Sequence, residues 1–346
     1  MKGTFSGSRH RIVGALICAF ATFLPGTTFP VAAQTSFQGA TIRLYAGSGP
    51  GGGVGLFGLP LLPYLTKYLP GNPRIVEYTM AGGGGVEAAQ HAYNVASRDG
   101  ISIGLLGPGP IGQPFLSAQK VNYDVAKFNW IGSMTSGATS CFVNKKVPIN
   151  SIEDAQKTQV SMSVTGIESG GARVARLING LIGTKFKTIA GYNGTADTML
   201  AVDRVETDGS CLSFGSLRTS GILDRDVLRI LIQATIGEKE PGFESVPSLI
   251  DLVKTEADRQ AIQFLLTPYD IQNIFLLPPG VPQPIVDIWR KAFDQAISDP
   301  AYLKEAARLQ QQILPRSGPE VAQLIDRMAA TPSAVKERVI KLLSQD

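Results

Sequence analysis

The sequence predicts an α/β protein, and three observations predict it. Strand-like runs at 41–46, 74–79 and 101–106 each end in a glycine-bearing loop. Each of those loops leads toward a helical pattern, which is the signature of β-loop-α units on a parallel sheet with right-handed crossovers. After Asn129-Trp130-Ile131-Gly132-Ser133 the same alternation begins again, so a second α/β unit follows the first. The repetition is architectural and carries no sequence repeat.

In chain order, Thr41-Ile42-Arg43-Leu44-Tyr45-Ala46 is the first strand and leads through glycines to a helix over 55–69. Pro60 and Pro63 lie inside that helix and predict a kink or a delayed start, because proline lacks the N–H of the helical ladder. Pro70-Gly71-Asn72-Pro73 is a stop and a turn. Strand 74–79, a second glycine loop and a helix ending near Ala96 come next, then strand 101–106 and the loop Gly107-Pro108-Gly109-Pro110. The second unit reads as strands 140–144, 160–164, 186–190, 208–214 and 227–232, with helices near 150–154, 172–182 and 196–203. The tail reads as mostly helical. An amphipathic helix over 283–298 is followed by one capped at Asp299-Pro300. Another opens at the capping box Ser317-Gly318-Pro319-Glu320, and the last starts at Thr331-Pro332. These helices are expected to pack back on the first domain.

The first residues have the pattern of a secretory signal peptide. Lys2, Arg9 and Arg11 precede an apolar stretch from Ile12 to Leu24, Pro25-Gly26 breaks it, and Val31-Ala32-Ala33 supplies small residues for cleavage after Ala33. The apolar run is shorter than the roughly 20 residues a membrane span needs. The expected mature chain, about 313 residues, carries 29 basic and 28 acidic side chains, net +1. That balance argues against a nucleic-acid binder, which concentrates positive charge. The length suits two domains.

Histidine and cysteine are scarce enough to prune the chemistry. Beyond Ala33 the chain keeps His91, Cys141 and Cys211, too few for an ordinary four-ligand zinc site. His91 falls within a helical pattern and reads as a packing residue, so a Ser-His-Asp mechanism has no good base. Cys141 and Cys211 each lie in a strand; in an oxidising compartment they invite a disulfide, the alternative being two buried thiols.

The glycine loops are the candidate site. Gly47-Ser48-Gly49-Pro50-Gly51-Gly52-Gly53 follows the first strand and Ala81-Gly82-Gly83-Gly84-Gly85 the second. Glycine lets backbone amides approach a ligand closely, and a loop that opens a helix presents unpaired N–H groups to an anion. Gly47-x-Gly49-x-x-Gly52 matches a dinucleotide fingerprint with Glu77 as the ribose acid. Pro50 removes an amide from that loop and Pro60 disturbs its helix, so the match is weak. No Gly-Lys-Ser/Thr of a P-loop is present.

With these pieces in order, the chain resembles the solute-binding proteins of tripartite tricarboxylate transporters, the Bug or TctC-like receptors. The resemblance rests on Ile42-Arg43-Leu44, Gly49-Pro50-Gly51-Gly52-Gly53, Pro70-Gly71-Asn72-Pro73, Met80-Ala81-Gly82-Gly83-Gly84 and Tyr93-Asn94-Val95-Ala96-Ser97-Arg98-Asp99-Gly100. It continues through Val164-Thr165-Gly166-Ile167, Gly191-Tyr192-Asn193-Gly194-Thr195, Pro278-Pro279-Gly280-Val281-Pro282 and Asp299-Pro300. It implies a type II periplasmic-binding-protein fold, two α/β domains joined by a hinge with the ligand cleft between them. The boundaries it suggests are a signal peptide at 1–33, domain 1 at 37–134, domain 2 at 135–235 and a return to domain 1 over 236–346. Cys141 and Cys211 match paired cysteines of one branch, which implies their bridge.

The function implied is a periplasmic, monomeric receptor, with no enzymatic activity and no cofactor or metal. It would capture a small, carboxylate-bearing solute by domain closure and deliver it to integral-membrane transporter subunits. An exported enzyme using the same cleft, and a sensor for a membrane kinase, are the competing readings. The ligand-facing residues implied are Ser48, Gly49, Gly51, Gly52, Gly53, Val54, Ala81, Gly82, Gly83 and Gly84 in domain 1. In domain 2 they are Thr165, Gly166, Glu168, Ser169, Tyr192, Asn193, Gly194 and Thr195. Two positions depart from the family pattern. Gly55 stands where an acidic residue is usual, and Glu168 where glycine is usual. A Glu168 turned into the cleft would repel a carboxylate; turned outward it is a surface charge. Arg173 reads as an exposed helix arginine rather than a partner for the ligand.

Overall fold

Two β-sheets, each covered by helices on both faces, organise the chain. The computed structural model describes residues 36–116, 121–167 and 169–344, with Met1 and Gly3. The expected signal peptide and Glu168 lie outside the described residues. Contacts divide the chain into Met1–Ala32 and Ala33–Asp346, and every strand and helix named below belongs to the second unit.

The first half runs β1 (Thr41–Ala46), α1 (Gly53–Gly58), α2 (Leu62–Tyr68), β2 (Arg74–Thr79), α3 (Val86–Asn94), β3 (Ser102–Leu106), α4 (Pro108–Leu116) and β4 (Asn129–Thr135). Next come β5 (Thr139–Asn144), α5 (Ile152–Lys157), β6 (Val160–Val164), α6 (Gly170–Ile182), β7 (Phe186–Ala190), α7 (Thr195–Asp203), β8 (Gly209–Ser213), α8 (Phe214–Thr219) and β9 (Leu228–Ala234). The remainder is α9 (Leu249–Leu252), α10 (Glu256–Leu266), β10 (Gln272–Leu277), α11 (Gln283–Ile297), α12 (Pro300–Arg308), β11 (Arg316–Ser317), α13 (Gly318–Ala329) and α14 (Ser333–Leu343).

The first sheet has the order β11-β4-β10-β3-β1-β2 and the second β7-β6-β8-β5-β9. β1 pairs parallel with β2 and β3, as the β-loop-α reading requires. The sheet is nonetheless mixed, because β10 runs antiparallel between β3 and β4. That strand is absent from the sequence reading: a short apolar run cannot be told from a buried helix segment by periodicity. In the second sheet β6 is parallel to β7 and β8, and β5 is antiparallel to β8 and β9.

Side chains alternate across each sheet and feed separate cores, as the two-residue strand period dictates. In the first sheet Leu105 and Phe275 join Trp289 and Phe293 of α11 on one face, while Leu106 and Leu276 join Val321 and Ile325 of α13 on the other. Each of those large buried side chains contributes about 1.5–3 kcal/mol through removal from water. In the second sheet Cys141 and Val143 face α6, whereas Phe142 faces Phe214 and Leu217 of α8. Cys141 and Cys211 are directly opposed on β5 and β8 with Cα atoms 4.1 Å apart, and they form the disulfide.

The local signals hold where proline and capping residues dictate them. The stretch expected as one kinked helix is α1, a 3-10 turn over Leu59–Leu61 containing Pro60, and α2 beginning at Leu62. Asp299 caps α12 by accepting from Ala301 N–H at 2.8 Å, and Ser317 with Glu320 forms the expected capping box on α13. The buried Asp299 carboxylate accepts from Lys67 at 2.6 Å, and that hydrogen bond draws its pKa down to about 2. Two expectations need correction. Gly107-Pro108-Gly109-Pro110 is not a loop throughout: α4 starts at Pro108, since prolines are tolerated in a first helical turn. The segment after 235 does not return at once to the first sheet. Leu249 of α9, Ile262 and Leu265 of α10, and Val339 and Leu342 of α14 share the core of Cys141, Val174 and Leu177. α14 packs directly on the second sheet's helix α6, α10 packs on α14 and α9 on β9, and the chain re-enters the first sheet at β10.

Candidate functional site: a cleft between the two sheets

The chain leaves the first sheet at Thr135, crosses through Ser136, Gly137 and Ala138, and enters the second at Thr139. It re-enters the first sheet at Gln272. Beside these two crossings lies a cavity of about 110 Å³. The first sheet contributes Gly53, Val54 and Phe57 of α1 with Gly107 and Pro108 after β3. The second contributes Ser213, Gly215, Ser216 and Glu240. Thr135 to Ala138, Gln272 and Asn273 at the crossings, and Gln312, complete the wall. The parallel strands of both sheets end toward loops of this kind, the usual position of ligand sites in α/β sheets.

The first glycine loop is wound tightly enough to exclude side chains. Gly52 N–H donates to Gly49 O at 2.9 Å, and Gly55 N–H donates to Ser48 Oγ at 3.2 Å. A Cβ on Gly55 would lie 2.3 Å from Gly49 O, so the acidic residue expected at that position has no room. The winding leaves Gly53 and Val54 at the start of α1, where N–H groups have no intrahelical acceptor. Both residues line the cavity. Ser48, Gly49, Gly51 and Gly52 build the loop behind them and do not line it.

The second loop has a different geometry. Gly83, Gly84 and Gly85 have φ of +60°, +68° and +96°, a left-handed run that glycine alone adopts without strain. Gly82 N–H donates to the Glu87 carboxylate at 3.3 Å, so one of the amides meant for an anion is already engaged. Ala81, Gly82, Gly83 and Gly84 are exposed, and none lines the cavity. The loop touches the first one at its inner end, where a Cβ on Gly85 would lie 3.2 Å from Gly47 Cα.

The second-domain candidates sit on the expected loops but outside this cavity. Thr165 and Gly166 follow β6, and Ser169 caps α6 through Ala172 N–H. Tyr192, Asn193 and Gly194 follow β7, and Thr195 begins α7. Strand order gives the reason. β7 and β6 lie at the outer edge of their sheet, whereas β8 lies beside β5, the strand that enters from the crossing. The second sheet therefore meets the cavity through the end of β8, at Ser213 and Ser216. Ser213 Oγ accepts from Ser216 N–H at 3.2 Å and exchanges a hydrogen bond with Ser216 Oγ at 2.9 Å. The sequence reading missed these serines, although Ser213-Phe214-Gly215-Ser216 carries the signal of a strand end followed by a capped helix.

Polar groups that prime the wall come from the re-entry of the chain. Asn273 has φ +54° and is 5% exposed. Strain of this kind in a non-glycine residue clusters at functional sites. Arg316 pairs with Asp270 just before it; burial pushes the Asp270 carboxyl above its ordinary value and Arg316 opposes the push. Arg173, expected on the surface, is buried at 2% exposure and donates to Gln113 of α4 at 2.5 Å. It ties α6 to α4 rather than facing solvent, and Gly170 in the same first turn lies against Tyr269. His91 lies against Tyr45 with ring centroids 4.3 Å apart, the packing role expected of it. Among the described residues no group of three His, Cys, Asp or Glu side chains could hold a metal.

Solved structures share this fold. A TctC solute-binding protein from Polaromonas, solved without ligand, matches 87% of this chain and 98% of its own at TM-score 0.63 and 18% identity. MatC from Rhodopseudomonas palustris with bound malate matches 88% of this chain and 99% of its own at TM-score 0.67 and 18% identity. A second R. palustris protein, solved with adipate, matches 88% and 97% at TM-score 0.67 and 16% identity. The chain has the TctC solute-binding fold. That fold comprises two α/β domains joined by a hinge. No protein-family model matches the sequence, and no curated protein does. Within the TctC fold this chain's cavity is the inter-sheet cleft just described.

Proposed function

We propose that the chain is a periplasmic solute-binding receptor. It captures a small carboxylate-bearing solute by closing its two sheets over the cleft and hands it to the integral-membrane subunits of a tripartite tricarboxylate-type transporter. It works as a monomer, exported by the leader over 1–33 with cleavage after Ala33. The observation that carries the reading is the wall of the cleft: Gly53 and Val54, at the opening of α1, on one side and Ser213 and Ser216 on the other, with no Lys, Arg or His among the lining residues described. Neutral donors of this kind hold an anion without burying an unpaired cation. The malate and adipate bound by structures of the same fold support a small organic acid as ligand. Of the loops named from sequence, 165–167 and 192–195 then serve as the outer rim beside the mouth.

Thermal-shift screening of the purified protein against mono- and dicarboxylates, amino acids and aromatic acids tests this. A ligand at 100 times its Kd stabilises by about 2.7 kcal/mol, a rise in Tm of several degrees. No rise with any acid, together with turnover of one of the compounds, contradicts the receptor.

A further inference from the structure

The cleft carries a charge that a carboxylate-binding wall does not call for. Glu240 is the one charged residue among the described residues that line it, and no Lys, Arg or His does. Glu240 is 5% exposed. Arg218 donates to it through Nε at 3.2 Å and Nη2 at 2.7 Å, and both contacts go to Oε1. Its backbone N–H donates to Gln233 Oε1 at 2.9 Å, which fixes the loop that carries it. Among the described residues no hydrogen bond reaches Oε2. An ionised carboxylate only accepts hydrogen bonds, so a ligand seated here must supply a donor to Oε2 or leave it unpaired. Asn273 adds a second open group. It is buried to the same degree, lines the same cavity and makes no side-chain hydrogen bond among the described residues.

We propose that Glu240 sets ligand specificity by selecting small organic acids that carry a hydrogen-bond donor, a hydroxyl or an ammonium group, beside the carboxylate. The proposal rests on the receptor reading and narrows its ligand class. Gly53, Val54 and the serines take the carboxylate, Glu240 Oε2 accepts from the donor, and the Asn273 amide completes the polar contacts. A site built to hydrogen-bond a ligand group rejects the analogue that lacks it far more strongly than an apolar pocket rejects a missing methylene. A plain dicarboxylate would instead bring a second negative charge toward Glu240. The ion pair with Arg218 by itself could serve simply to anchor the loop over 237–243 to α8. That anchoring role predicts loss of stability on substitution and no change in preference among ligands.

Calorimetric titration with two matched series, propionate, lactate and alanine, and succinate, malate and aspartate, tests the proposal. In at least one series the donor-bearing acid is expected to bind about tenfold or more tightly than the plain acid. Preference for lactate or malate assigns a hydroxyl, and preference for alanine or aspartate an ammonium group. Glu240→Gln, which keeps the shape, is expected to narrow that ratio to about threefold or less; an unchanged ratio overturns the role of Glu240 whatever happens to Tm. Should Glu240→Gln fail to fold, the preference of the unaltered protein decides. Plain and donor-bearing acids binding alike overturn the inference and leave the receptor standing. Binding by none of the six, with a Tm rise for some other acid, also overturns the inference alone; no Tm rise for any acid overturns the inference, and turnover of one of the compounds in addition overturns the receptor.

Discussion

The loops after β1 and β2 are both runs of glycine, and a reader of the sequence has no ground to separate them. In the fold they differ. The first winds tightly around Ser48, places Gly53 and Val54 on the cleft wall, and borders the strands that carry the chain between sheets. The second, at the outer edge of the same sheet, engages Gly82 N–H with its own Glu87 and faces solvent. The second sheet repeats the contrast: the end of β8 meets the cavity, and the ends of β6 and β7 lie outside it. A loop's distance from the crossing strands, more than its composition, decides whether it lines the site.

The largest effect separating the two loops is expected at Gly55. Gly55→Ala forces a Cβ against Gly49 O and Pro50 Cα, so the first loop must unwind. Overpacking of this kind costs about 1–3 kcal/mol. Denaturant unfolding should show that loss, and ligand affinity should fall more than tenfold. Gly84→Ala is the paired control. Open space surrounds its Cβ and only its φ of +68° opposes it, so a loss of about 1–2 kcal/mol is expected with affinity unchanged. Equal losses of affinity would erase the distinction between the loops.

A smaller effect of a different kind is expected at Asn273. Asn273→Gly relieves the left-handed backbone while removing the amide from the cleft. Stability should stay within about 1 kcal/mol of the parent, whereas affinity should fall about tenfold, or about 1.4 kcal/mol. A parallel fall in both would make Asn273 a structural residue only. The smallest effect is expected at the outer edge of the second sheet. Tyr192→Ala should change affinity by about twofold or less, since Tyr192 does not line the cavity. A tenfold loss there would show that the outer rim holds the ligand.

Much of the fold was legible from residues whose physics is local. The kink at Pro60, the cap at Asp299, the capping box at Ser317 and Glu320 and the strands before each glycine loop follow from backbone chemistry at those positions. Strand order was not legible, because pairing joins residues far apart in sequence. That single gap accounts for the rest. Without it β10 could not be placed between β3 and β4, and α10 and α14 could not be assigned to the second sheet's core. Nor could Ser213, Glu240 and Asn273, separated by tens of residues, be seen to share one wall. The burial of Arg173 follows the same rule, since its partner Gln113 lies on the other sheet's helix.

Hydrogen exchange with and without the acid that gives the largest thermal shift tests the central claim most directly. The inner-loop account predicts that ligand slows exchange most at 53–57, 135–138, 213–216 and 272–273, with little change at 81–84. Protection concentrated at 81–84 and 192–195, with the inner segments unchanged, would contradict it.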